Sequence, residues 1–139
     1  MQIGVDSQRA VETKRAYIID SDDVGATGLQ FMLADELEVH QMAACADALS
    51  RASQAVDVIL LGAEAAGAAG EAGLRALFGA FEGVPVIAYG PAGDERVAQA
   101  LALGARSSIA RPFKLETVRQ KVNAQIGRRA VLTIPVVRG

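Results

Sequence analysis

The chain has 139 residues, 51% of them apolar, and a formal net charge of −2 at pH 7. That is enough for one domain with a sizeable core and too little for two. No apolar stretch approaches the roughly 18 to 20 residues that cross a bilayer, and Met1 to Arg15 is polar and charged without a signal-peptide centre, so the expectation is a cytoplasmic protein with no membrane partner.

Residues 1–13 read as a flexible N-terminal arm ahead of a domain spanning 14–128. Ala16-Tyr17-Ile18-Ile19 is a strand, closed by the polar turn Asp20-Ser21-Asp22-Asp23. A helix then runs to about Glu36, with Leu29, Met32, Leu33 and Leu37 at helical spacing. Asp22 and Asp23 suit its N-terminus, where carboxylates satisfy free N–H groups and favour the dipole. Glu38 to Met42 is a weak strand, and Ala43 to Ala52 a short helix. Val56 to Leu61 is the strongest strand. The small-residue segment after it passes into a helix over about Glu71 to Phe81, with a mobile start because each glycine costs roughly 1 kcal/mol of helix stability. Val84 to Tyr89 is a fourth strand, with Pro85 tolerable only near its start. Asp94 caps a helix that Gly104 stops at Leu103. Ser107 to Ala110 is a fifth strand. The last helix, Leu115 to Ile126, carries Leu115, Val118, Val122 and Ile126 on one face and ends at Gly127. Residues 129–139 form a tail or linker whose apolar, β-prone run Ala130 to Val137 would be a liability if left exposed.

Strands alternating with helices at these lengths predict a parallel sheet covered on both faces. The fold class is α/β: a flavodoxin-like, doubly wound, five-stranded parallel sheet.

Several local features occur together. Acidic residues follow the first strand, an Ile-Leu-Leu strand sits mid-chain, and Pro85-Val86-Ile87 lies in the fourth strand. Gly104-Ala105 precedes the fifth strand and Arg111-Pro112-Phe113 follows it. In these the chain resembles the CheY-like receiver domain of bacterial response regulators, over about Lys14 to Gly127. The resemblance implies a phosphoacceptor aspartate after the third strand, an acidic pair that binds Mg²⁺, a Thr or Ser after the fourth strand, and a Lys before the proline. Carried onto this sequence, the acidic pair falls on Asp20 and Ser21, the phosphoacceptor on Gly62, the hydroxyl residue on Gly90 and the Lys on Arg111. Only Asp20 matches. The resemblance also implies a cis bond before Pro112.

Aspartyl phosphorylation needs a carboxylate nucleophile, which glycine lacks. Mg²⁺ demands near-octahedral oxygen coordination, so replacing two carboxylates by Ser21 and Gly62 cripples the site. Arg111 keeps a positive charge but is a wider, planar donor than lysine. The expectation is a pseudo-receiver that uses no cofactor and has no enzymatic activity. Arg111 is expected either to pair with Asp20 across the vacated pocket or to swing into solvent. Two alternatives remain: a phosphorylatable receiver whose acidic site is relocated to Glu64, Asp22 and Asp23, and a small-ligand sensor using the crevice that Gly62 and Gly90 enlarge.

The glycine-rich run from Gly62 to Gly73 has neither a P-loop ending nor Rossmann spacing. Cys45, without metal-ligand company, reads as a small buried hydrophobe. His40 on a predicted edge strand reads as structural or solvated. Tyr89 is expected to pack in the core or at an interface.

Charge is unevenly spread. From Met1 to Leu103 there are 6 Lys/Arg and 15 Asp/Glu, whereas from Gly104 onward there are 8 basic residues and only Glu116. Arg119 and Lys121 on the last helix, Arg128 and Arg129 beyond it, and Tyr89 mark an expected interaction surface for a protein partner or effector domain. A homodimer is expected. Direct nucleic-acid binding is not, since stacking aromatics and a helix-turn-helix are missing. The functional expectation is an atypical receiver that serves signal transduction as a phosphorylation-independent interaction or dimerisation module.

Overall fold

The computed structural model describes residues 13–127. Residues 1–12 of the expected arm, the tail over 129–139, and the cations Arg128 and Arg129 lie outside the described residues. Five strands, β1 (Lys14–Ile19), β2 (Leu37–Met42), β3 (Val58–Gly62), β4 (Val86–Gly90) and β5 (Ser107–Ala110), form one parallel sheet in the order β2-β1-β3-β4-β5. Five helices connect and follow them: α1 (Asp23–Leu33), α2 (Cys45–Leu49), α3 (Ala63–Ala80), α4 (Glu95–Leu103) and α5 (Leu115–Ile126). The expected doubly wound fold is present.

The strand period of two divides the core into two layers. Tyr17 and Ile19 of β1, Ile59 and Leu61 of β3, and Val86 and Ala88 of β4 pack with Cys45, Leu74, Leu77 and Ala100 from α2, α3 and α4. The alternate residues Ala16, Ile18, Val58, Leu60, Ile87 and Tyr89 pack with Leu29 and Leu33 of α1 and Val118 and Val122 of α5. The three inner strands are thus buried on both faces, which is why they read as continuous apolar runs.

Helix ends follow their sequence signals. The Asp22 carboxylate accepts from Val24 N–H at 3.1 Å to cap α1. Asp94 accepts from Arg96 N–H at 2.8 Å to cap α4. Gly104 and Gly127 close α4 and α5 with positive φ. The peptide before Pro112 is cis.

Three details differ from expectation. Helix α1 ends at Leu33, because Leu37 joins the core as the first residue of β2. Helix α3 begins at Ala63, directly after β3, and is broken at Gly70, whose φ of 71° lies outside helical space. The expected helix start near Glu71 therefore marks the second of two segments, and alanines rather than a loop fill the first. Leu115, assigned to the buried face of α5, is 44% exposed, since that face turns inward only from Val118.

Candidate functional site

The pocket opens at the C-terminal ends of β1, β3 and β4, the crevice position of an open α/β sheet. Asp20, Asp22, Ala63, Glu64, Gly90, Pro91, Arg96 and Arg111 line a cavity of about 240 Å³.

Sheet register sets its floor. Ile19 lies beside Leu61, and Gly62 lies beside Tyr89. Asp20, Gly62 and Tyr89 therefore come level on three adjacent strands. Strands are spaced about 4.8 Å apart, so side chains on β1 and β4 meet across β3 only where β3 has no side chain. Gly62 supplies that gap. The Tyr89 hydroxyl crosses it and donates to Asp20 Oδ2 at 2.6 Å. A Cβ at Gly62 would stand 2.7 Å from Asp20 Cγ, so the carboxyl fills the space of the missing side chain.

Asp20 is 3% exposed and is the buried charged residue among those described. Its other oxygen, Oδ1, accepts from Asp22 N–H at 2.9 Å. Both carboxyl oxygens are thus served by the protein itself. Burial, followed by the hydrogen bond to Asp20, pushes the Tyr89 phenol far above its ordinary value. It remains a protonated donor. Phe113 holds the Tyr89 ring edge-on with centroids 5.5 Å apart.

Arg111 reaches neither solvent alone nor Asp20. Its guanidinium pairs with Asp22 at 3.5 Å and lies 5.3 Å from the Phe113 ring centroid. Gly25 on α1 permits this path, because a Cβ there would stand 2.8 Å from Arg111 Nη2. The expected Arg111–Asp20 pair is replaced by two separate pairings, Arg111 with Asp22 and Tyr89 with Asp20.

The opposite wall belongs to α3 and α4. Gly90 lets Ala63, the first residue of α3, approach β4; a Cβ at Gly90 would stand 2.8 Å from Ala63 Cβ and 3.2 Å from Val97 Cγ2. A Thr or Ser at this position would have to displace the helix. Arg96 folds back on Asp94 through Nε at 3.0 Å and Nη2 at 2.7 Å, and its stem crosses Gly67. The side-chain bond from Arg96 pulls the Asp94 carboxyl down to about 2. Glu64 sits exposed on the first turn of α3 at the pocket lip.

The Mg²⁺ that the resemblance implies does not fit this donor set. Asp20 is occupied on both oxygens, Ser21 and Gly62 offer no carboxylate, and among the described residues no group of three His, Cys, Asp or Glu side chains converges to hold a metal ion. Of the relocated acidic site, Asp22 and Glu64 line the pocket with Asp20 but do not converge to hold a metal ion, and Asp23 stays outside it. Asp22 caps α1 and pairs with Arg111, and Asp23 is exposed in its first turn.

Of the expected interaction residues within the described part of the chain, Tyr89 needs correction. Tyr89 is fully buried and belongs to the pocket floor. Arg119 is bound internally, to the Met32 carbonyl at 3.1 Å and to both oxygens of Asp35 at 2.8 and 3.0 Å, which ties α5 to the end of α1. Lys121 donates to the Ser108 carbonyl at 2.7 Å. Both cations make contacts within the fold. The unexpected surface is on α1, where Val24 and Phe31 are 82% and 84% exposed. Their spacing of seven puts them on one helical stripe with Gly28, where an added Cβ would meet nothing within 4 Å. His40 is half-buried, held by Glu38 at 2.8 Å and lying edge-on to Tyr17.

Comparison of the whole fold with solved structures finds response regulators. The chain has the receiver fold. A two-component response regulator from Clostridium difficile superimposes with a TM-score of 0.72 at 21% identity, over 84% of this chain and 98% of the other. A putative response regulator from Chloroflexus aurantiacus gives 0.74 at 20% identity, over 84% and 99%. The beryllofluoride-activated NtrC4 receiver domain dimer gives 0.72 at 17% identity, over 84% and 98%. No protein-family model and no curated protein matches the sequence. Among the described residues no helix is long and apolar enough to cross a membrane.

Proposed function

We propose that this receiver-fold domain serves signal transduction as a binding module, not an enzyme, and that phosphorylation does not switch it. Gly62 is the observation that carries this reading. It occupies the place where the resemblance puts the nucleophile, and the Asp20 carboxyl fills the space its side chain would need. Gly90, which has no hydroxyl and no room for one, supports it from the opposite wall.

A domain that is not switched at its pocket acts through its surface, and the stripe Val24-Gly28-Phe31 is the surface that supports binding here. A stripe carrying a protruding ring beside a residue without a side chain can be self-complementary. A two-fold contact can seat Phe31 of one copy over Gly28 of the other. Of the carboxylates at its ends, Asp22 pairs with Arg111 and Asp35 with Arg119, which lowers repulsion between copies, and Asp23 is exposed beside Val24. NtrC4, one of the structurally similar proteins, is a receiver dimer when activated by beryllofluoride; in the present chain the dimer is proposed to form unaided.

Sedimentation equilibrium of the full chain tests this. The expected result is a concentration-dependent dimer that Phe31→Ala dissociates while circular dichroism stays unchanged. A monomer at every concentration, or a dimer indifferent to Phe31→Ala, would remove this interface.

A further inference from the structure

We infer that the Tyr89 hydroxyl is a built-in substitute for the metal: it holds Asp20 in a closed position over Gly62, and it bars cations from the pocket even after the missing carboxylates are restored. The inference rests on the proposed phosphorylation independence and deepens it, because it assigns the barrier to a residue outside the motif positions.

The argument is geometric. A buried carboxylate needs compensation from a cation or from hydrogen-bond donors. Here two donors aim at the two oxygens of Asp20: the Asp22 N–H at 2.9 Å and the Tyr89 hydroxyl at 2.6 Å. The second is short, buried and directed at an ionised acceptor, which makes it one of the stronger kinds of hydrogen bond. Phe113 braces the Tyr89 ring, and Arg111, which lines the same pocket, pairs with Asp22 and not with Asp20. The level arrangement of Asp20, Gly62 and Tyr89 on β1, β3 and β4 makes the three interdependent. Tyr89 reaches Asp20 only across a glycine, and a side chain at position 62 must first move the carboxyl that Tyr89 is holding. The loss of the phosphoacceptor and the presence of the tyrosine are two halves of one device.

The test compares three proteins: the unaltered chain, Ser21→Asp/Gly62→Asp, and Ser21→Asp/Gly62→Asp/Tyr89→Phe. Mg²⁺ and Mn²⁺ binding is followed by calorimetry and by amide NMR. The unaltered chain and the double variant are expected to show no saturable binding. The triple variant is expected to bind saturably, with an affinity at least about tenfold above the upper limit set for the double, the value of one hydrogen bond to a charged group; no saturable binding by the triple variant would overturn the inference. If the double variant binds as tightly as the triple, the inference is overturned and the proposed function still stands. Binding by the unaltered chain would instead overturn the proposed function. The double variant places an added Cβ against Asp20, so the single variant Tyr89→Phe provides a second measure in case it fails to fold. In Tyr89→Phe the Asp20 side-chain carboxyl ¹³C resonance is expected to move with the loss of its donor. An unchanged resonance would overturn the inference on its own.

Discussion

Replacing Tyr89 by phenylalanine removes one oxygen and leaves the ring. The ring keeps its place beside Phe113, so the cost comes from the lost bond alone. A hydrogen bond to a charged group contributes about 1.5 to 3 kcal/mol, and more is at stake when the abandoned partner stays buried. Asp20 does stay buried, at 3% exposure, with only the Asp22 N–H left to it. The expected destabilisation is therefore about 2 to 3 kcal/mol, which for a domain of this length lowers Tm by roughly 6 to 15 °C. Tyr17 provides an internal control. It is equally buried, but its hydroxyl has no hydrogen-bond partner among the described residues. Tyr17→Phe removes an unsatisfied polar group and is expected to be neutral or stabilising. Urea unfolding monitored by circular dichroism measures both variants on one scale. Equal effects of the two substitutions would refute the argument, because they would mean that the bond to Asp20 carries no weight.

Gly62→Ala should destabilise by about 1 to 3 kcal/mol through overpacking, seen as a lower urea midpoint. The backbone there, φ −75° and ψ 151°, suits alanine, so the cost comes from the contact with Asp20 alone. Arg119→Ala should cost up to about 1 kcal/mol by releasing Met32 and Asp35 and should leave self-association unchanged, measured by thermal unfolding and sedimentation. The Asp94 carboxyl should titrate by ¹³C NMR with a midpoint of about 2. Because its folded value lies below its unfolded one, the stabilisation it provides is present above pH 4 and fades as pH falls through about 2; Arg96→Gln should return the midpoint toward 3.8. Burial raises the Cys45 thiol, so a thiol reagent should modify the native protein only as fast as it opens.

The sequence made the fold legible because the inner strands are buried on both faces and read as unbroken apolar runs, while Asp22, Asp94, Gly104 and Gly127 punctuate the helices as their chemistry requires. The segment after β3 was harder to read. Alanine favours helix and glycine opposes it, and packing of Ala65 and Ala66 on the sheet decided in favour of helix up to Gly70. At the site, the absences at Gly62 and Gly90 were visible residue by residue, but their consequence was not. Tyr89 meets Asp20 because of strand register, a relation between residues 69 apart that no local pattern encodes. Strand parity already placed Tyr89 on the same face as Ile87, a signal for burial that argued against an interface role. The internal contacts of the basic residues of α5 are hidden from the sequence for a related reason. Helical spacing showed that Arg119 and Lys121 lie off the apolar stripe, but not that the end of α1 and the Ser108 carbonyl stand within their reach. Phe31 carried a clear signal in hindsight, an aromatic on the polar side of α1, out of phase with Leu29 and Leu33.

The most direct test of the account is an amide NMR titration of the unaltered full chain with Mg²⁺ and then beryllofluoride, following Asp20, Ser21, Gly62, Glu64 and Gly90. A pocket closed by Tyr89 and lacking a nucleophile predicts a flat response at all five positions. Saturable shifts confined to these residues would show a working metal and phosphoryl site and would contradict the account.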